Sequence, residues 1–244
     1  MKNFQLRLLS GFLGFAVMRF AAGLCLATLI GMLVVVFVNA LPAMSWAFLT
    51  DVPRNMMSEG GIWPCIVGTF LLAAGALMIA LPLGVASAVY LNEYRSESAA
   101  MTVVRLSIAN LAGVLTLAAL KQIPQDWREA SLALGATRRE TIMKVLLPNA
   151  LPGILTGAIL ALARAAGETA AIMNTGAVFF TPKNDVSLFE PVMALPYHVY
   201  VMATSGTNIE ATRPLQYGTA LVLVVLVFVM SLAPIIIRER RRAR

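Results

Sequence analysis

Arg164 and Glu168 stand four residues apart, just after a stretch, residues 145–163, that holds no charged side chain. On a helix that spacing puts both on one face, where they can pair. An ionisable group in an apolar segment is costly, so it is paired, functional or both. Two kinds of chemistry fit. The pair can be a structural bridge joining neighbouring helices. Alternatively, the planar fork of Arg164 can receive a tetrahedral oxyanion, with Glu168 holding the fork until the anion displaces or shares that pairing. Metal chemistry is not expected, because no spacing of His198 (the only histidine), Cys25, Cys65 and the carboxylates matches a ligand set. His198 reads as an interfacial polar residue and the cysteines as small hydrophobes. An intramembrane enzyme would need Glu168 and His198 to converge, yet they lie in different segments with no nucleophile motif beside them. The sequence has no G-x-x-x-x-G-K-[ST] phosphate loop, so no nucleotide, metal or other cofactor is expected on this chain.

The elements that must position these groups follow from composition. Of 244 residues, 59% are hydrophobic and 13% charged, against about 25% charged in a soluble domain; mean hydropathy is +0.80. An ordinary soluble protein is excluded. Four apolar runs, 20–41, 62–91, 145–163 and 214–237, hold 22, 30, 19 and 24 residues, close to or above the roughly 20 that cross about 30 Å of hydrocarbon as a helix. No period-two alternation suggests barrel strands. The first run is longer than the roughly 7 to 15 residues of a cleavable signal and reads as a retained span. The fold class expected is an all-α polytopic membrane protein in the lipid bilayer.

The net charge of +7 does not point to nucleic acid, because the cations cluster between and beyond the apolar runs. Five of them, Arg238, Arg240, Arg241, Arg242 and Arg244, follow the last run directly. A fifth apolar stretch, 106–120, has only 15 residues, about 22 Å of helix. If it does not cross, both termini share a side with residues 92–144. That side then holds fifteen lysines and arginines against three opposite (Arg54, Lys183 and Arg213), with Arg164 in the membrane. If it crosses, the split is seven to eleven. The positive-inside rule therefore favours four spans with both termini cytoplasmic. A short outer loop with a turn signal at Gly60-Gly61 separates the first two spans. The third span is expected over about 151–176, which puts Arg164 near its middle.

Between the second and third spans, residues 126–144 read as two short helices broken at Gly135, with Thr137 capping the second. Such a hairpin is either a solvated loop or a docking element. Glu129-Ala130-Ser131, three residues, Gly135, nine residues, then Val145-Leu146-Leu147-Pro148 resembles the cytoplasmic signature of ABC importer permeases. Only Ser131 and Val145 depart from that pattern, both conservatively. The resemblance implies a type I (MetI-like) permease in which Glu129, Ala130, Ser131, Gly135, Leu147 and Pro148 form the element that couples to a separate ATP-binding subunit.

Leu151-Pro-Gly-Ile-Leu-Thr-Gly, Arg164-Ala-Ala-Gly-Glu-Thr-Ala, Leu195-Pro-Tyr-His-Val-Tyr and Tyr90-Leu-Asn-Glu-Tyr are similar to the A-type permease subunit of phosphate importers. That similarity implies a non-catalytic inner-membrane subunit for phosphate. Its partners would be a C-type second permease and a phosphate-binding protein received on the loop 183–212. It also implies that Arg164, Glu168 and Thr169 line the substrate path. Residues 1–59 would form the amino-terminal tail, first span and outer loop, and 60–240 the permease domain with its coupling segment at 126–148.

The chain departs from this family at one place. Asn110-Leu-Ala-Gly-Val resembles the start of the family's third span and runs directly into Leu115-Thr-Leu-Ala-Ala-Leu-Lys-Gln-Ile-Pro, which resembles the end of its fourth. About two of six spans are expected to be missing near 114–119, which preserves parity. The alternatives are a transport-defective remnant that only binds the ATPase, or a permease for another oxyanion, since one Arg-Glu pair does not separate phosphate from sulfate or molybdate.

Overall fold

The structure is a computed structural model and describes residues 2–54, 59–93, 111–176, 178, 192–205 and 209–242. It is almost entirely helical. Helix α1, Lys2–Ala40, ends in a 3-10 turn, Leu41–Ala43, where Pro42 cannot continue the ladder. The short α2, Trp46–Thr50, is capped by Ser45, whose hydroxyl accepts from the Phe48 N–H at 3.1 Å. A two-residue ribbon of Pro53–Arg54 and Glu59–Gly60 follows, with Gly60 at φ +93° and its neighbours close enough to exclude a side chain.

Helix α3 is Trp63–Glu93, α4 is Leu111–Lys121 and α5 is Gln125–Ala133. One turn, α6 (Arg138–Glu140), passes through a π-helical turn, Thr141–Leu146, into α7, Leu147–Gly167. Helices α8 (Ala170–Thr175), α9 (Leu195–Ser205) and α10 (Ile209–Arg242) complete the chain.

Among the described residues, four helical segments are long and apolar enough to cross a membrane: Gly14–Ala43, Trp63–Glu93, Arg138–Gly167 and Thr212–Arg240. They correspond to the four apolar runs. Helix α4 has 11 described residues, about 16 Å of helix, and packs against α3 and α7. Residues 106–110 of the fifth apolar stretch lie outside the described residues.

Two apolar clusters sit at opposite ends of α3. One gathers Phe48, Ile62, Cys65, Met193, Leu195 and Val222; the other gathers Ala88, Leu120, Ile142, Leu146, Ala150 and Ile154. Cys65 packs there as a small apolar side chain. Large apolar residues such as Phe20, Met78, Ile79 and Phe228 face outward, as a hydrocarbon solvent allows. Alanines and glycines are pressed into the helix contacts instead, among them Ala73, Ala88, Ala158 and Ala166.

Gly153 marks a very close contact between two helices. A Cβ on it would meet the Ala119 Cβ of α4 at 2.3 Å, and neither group can swing away. Gly153→Ala is therefore expected to cost about 1–3 kcal/mol. The check is the thermal unfolding midpoint of purified protein in detergent, which falls for this variant.

One expectation about the third span is corrected. It is not one helix to Gly176, because α7 stops at Gly167 and Glu168 takes an extended conformation before α8 begins. Helical backbone already runs from Arg138 into the stretch that holds Pro148 and Pro152. The wide π turn immediately before Pro148 eases the clash that a proline ring makes with the carbonyl four residues back.

Candidate functional site

The hairpin between the second and third spans folds as its sequence suggests. Gly135 sits at φ +85°, a conformation glycine adopts without strain. Its N–H donates to the Leu132 carbonyl at 3.0 Å, and the Ala136 N–H donates to the Ser131 carbonyl at 3.2 Å. Together these form a Schellman ending for α5. Two residues on, Thr137 begins α6 with a full capping box: its hydroxyl accepts from the Glu140 N–H, and Glu140 Oε2 accepts from the Thr137 N–H at 3.0 Å.

Glu129 and Ala130 lie exposed on α5. Ser131 points inward and its hydroxyl meets Thr141 Oγ1 at 3.0 Å, joining the hairpin's two arms. Leu147 packs on the apolar cluster around Leu146, while Pro148 is exposed.

Glu93, the last residue of α3, was not singled out by motif or spacing beyond its place in Tyr90-Leu-Asn-Glu-Tyr. Its side chain is 3% exposed and it is the carboxylate around which the hairpin is fastened. Arg128 of α5 pairs with its Oε1 at 2.7 Å, Arg138 of α6 approaches its Oε2 at 3.9 Å, and Asn92 Nδ2 donates to Oε1 at 3.1 Å. Arg138 also donates to the Glu93 main-chain carbonyl. The available signal was an acidic residue ending an apolar run opposite a basic segment, with nothing in the sequence to say which arginines it meets.

Arg164 and Glu168 face a cleft of about 200 Å³ walled by Ala76, Leu77 and Ala80 of α3 and by Ala161 and Ala165 of α7. The two charges are 3.8 Å apart, Nε to Oε2, with side chains 73% and 41% exposed. The pair is loose and open. Arg164 occupies the last turn of α7 rather than the middle of a continuous helix, and Thr169 follows at the break, half-buried. On the same helix, Gly153 seals against α4 while Ala161 and Ala165 line the cleft.

His198 is not interfacial but buried, 3% exposed, with Nδ1 3.4 Å from Thr219 Oγ1. The Thr219 hydroxyl donates its proton to the Leu215 carbonyl at 2.8 Å, so the imidazole is the donor, through Nδ1–H. Nearby, the Thr69 hydroxyl donates to the Cys65 carbonyl and accepts from the Leu195 N–H at 2.8 Å, fastening α9 to α3.

Burial pushes the His198 imidazole down to about 4. The sign follows: above about pH 6.5 both folded and unfolded forms are neutral, and between pH 6.5 and 4 only the unfolded form takes the proton. Stability is thus expected to fall as pH drops through that window, by up to about 3 kcal/mol. Replacement by glutamine removes that slope, measurable as thermal midpoint against pH. Residues 183–191 and 206–208 of the loop 183–212 lie outside the described residues. Among the described residues no cluster of His, Cys, Asp and Glu forms a metal site.

The sequence profile of the binding-protein-dependent transport system inner membrane component family matches residues 20–242. The chain belongs to this family. It is therefore a membrane-spanning ABC importer permease subunit, non-catalytic, whose transport depends on ATP hydrolysis by a separate subunit and on a partner permease.

Among its relatives, "Probable ABC transporter permease protein YqgI" of Bacillus subtilis is 28% identical, with 87% of this chain and 89% of that protein covered. "Probable phosphate transport system permease protein PstA" of Methanocaldococcus jannaschii is 32% identical, covering 73% and 76%. A chain from inward-facing crystals of the MetNI methionine ABC transporter superposes at TM-score 0.49 with 21% identity, over 74% of this permease and 94% of that chain. The YqgI alignment runs over 263 positions yet uses 87% of 244 residues, about 212, so roughly fifty positions hold no residue of this permease. The PstA alignment runs over 219 positions and uses about 178 residues, leaving roughly forty.

Proposed function

We propose that this permease is the A-type subunit of an inorganic phosphate importer, shortened internally by about two spans. The observation carrying the reading is that one helical rod joins the hairpin at Arg138 to the Arg164–Glu168 cleft at Gly167. A subunit docked on Glu129, Ala130 and Gly135 is thereby linked mechanically to a site with the chemistry to hold an oxyanion. Arg164 offers two parallel donors to a tetrahedral anion, Glu168 keeps the fork in place before the anion arrives, and Thr169 adds a hydroxyl at the helix break. A break in a membrane helix is tolerated where it lines a cavity, which favours a path there over simple packing. Phosphate as the cargo rests on the motif resemblance and on relatives such as the M. jannaschii protein.

Both termini and the hairpin face the cytoplasm in this reading, a placement supported by the fifteen-to-three charge asymmetry and the even number of spans. The partners are an ATP-binding subunit, a C-type permease and a phosphate-binding protein. The shortening is supported by the alignment positions that face no residue here.

The alignment gap also favours a second reading, a subunit that assembles with the ATPase without transporting. Labelled-phosphate uptake in an importer knockout complemented with this chain decides between them. Uptake competed by cold phosphate and not by sulfate or molybdate supports the first; co-purified ATPase without uptake supports the second.

A further inference from the structure

We infer that Glu93 is a positioning residue that yokes both walls of the cleft to the coupling hairpin. This rests on the hairpin being the docking element for the ATP-binding subunit.

The hairpin is continuous with only one cleft wall, α7, through the π turn. The other wall, α3, is separated from it along the chain by residues 94–124, and covalent continuity alone lets α7 move while α3 stays. Glu93 removes that freedom. Its carboxylate holds Arg128, one residue before the exposed Glu129, and Arg138, three residues beyond the Gly135 turn. Arg138 also holds the last carbonyl of α3, so the link is made to helix backbone as well as to a side chain.

Both arms of the hairpin are thus attached to α3 at one point. The same helix carries Ala76, Leu77 and Ala80, which face Arg164 across the cleft. Glu93 is sheltered from water and Arg128 largely so, while Arg138 is more than half exposed; the Glu93–Arg128 pair is therefore the one screened least by salt, and removing the carboxylate takes a charge partner from both arginines. A push on the hairpin therefore reaches α3 through ion pairs and α7 through the chain, and the two walls move in step.

The test uses the assembled complex in lipid nanodiscs, with co-expressed ATP-binding and C-type subunits of a phosphate importer. Spin labels are placed at the exposed positions Met78→Cys and Leu160→Cys in a Cys25→Ser background. The distance between α3 and α7 is measured with and without a non-hydrolysable ATP analogue.

In the parent, whose walls move in step, the α3–α7 distance is expected to stay the same when nucleotide binds. Glu93→Gln keeps the side chain's size and an acceptor oxygen; with it, the ATPase still co-purifies and the distance changes with nucleotide, because α7 moves without α3. Arg128→Gln and Arg138→Gln, which each leave one arm attached, give a smaller change. A nucleotide-dependent change in the parent, or none in Glu93→Gln, overturns the yoke. Failure of the parent itself to retain the ATPase overturns the docking role of the hairpin and the yoke with it. Glu93→Asp separates charge from packing should the glutamine variant misfold: an unchanged distance there, with a change in both arginine variants, supports the yoke, and an unchanged distance in the arginine variants overturns it.

Discussion

Glu129→Lys is expected to strip the ATP-binding subunit from the purified complex by at least about tenfold while the permease itself stays folded. Glu129 lies exposed on a helix that ends in a sharp turn, one residue from the arginine that anchors that helix to α3. It therefore presents a charge on a rigid support, and reversing such a charge at a docked surface costs both the pair and a like-charge contact, several kcal/mol in sum. The fold tolerates the change because no described hydrogen bond or ion pair within the chain depends on the Glu129 side chain. Pull-down of the ATPase at matched permease yield reads the effect. Retention at the parent level would mean that the hairpin is a solvated loop and not a docking element.

Arg164→Ala is expected to reduce phosphate uptake by about a hundredfold, with little effect on ATPase binding. Charge-assisted hydrogen bonds contribute about 1.5–3 kcal/mol each, and one bidentate fork offers two. Arg164→Lys retains the charge and loses the fork, so it should fall between. The variant should remain folded, since the side chain is 73% exposed and its bond to Glu168 is long. Glu168→Gln separates the two roles of the pair: if Glu168 only holds the fork, uptake weakens without being lost. Normal uptake in Arg164→Ala would return the pair to a structural bridge.

Much of this was legible before any coordinates. The four spans follow from run length, because a bilayer fixes the length a helix must reach, and the 15 residues of 106–120 fall short of that length. The hairpin was legible because Gly135 and Thr137 each have one local conformation that suits them, and neighbouring backbone groups complete it. What was not legible depended on contacts distant in sequence. Glu93 lies 45 residues from Arg138, and no local rule pairs them. His198 belongs to a polar motif beside apolar runs, which suggests an interface, yet Thr219 and the surrounding helices bury it. The break after Gly167 was missed because Arg164-Ala-Ala-Gly-Glu-Thr-Ala holds good helix formers on both sides, and one glycine costs a helix only about 1 kcal/mol.

The uninterrupted segment from Arg138 to Gly167 has 30 residues, about 45 Å of helix. Such a rod is a lever, and a tilt of ~5° at one end sweeps the other through ~4 Å, on the order of the width of one oxyanion. The π turn sits near the driven end, where its looser spiral can act as a fulcrum that flexes without breaking hydrogen bonds. If the ATPase docks on the hairpin as proposed, small strokes there are magnified at the other end of the rod, and the gearing is set by where along the rod that turn falls.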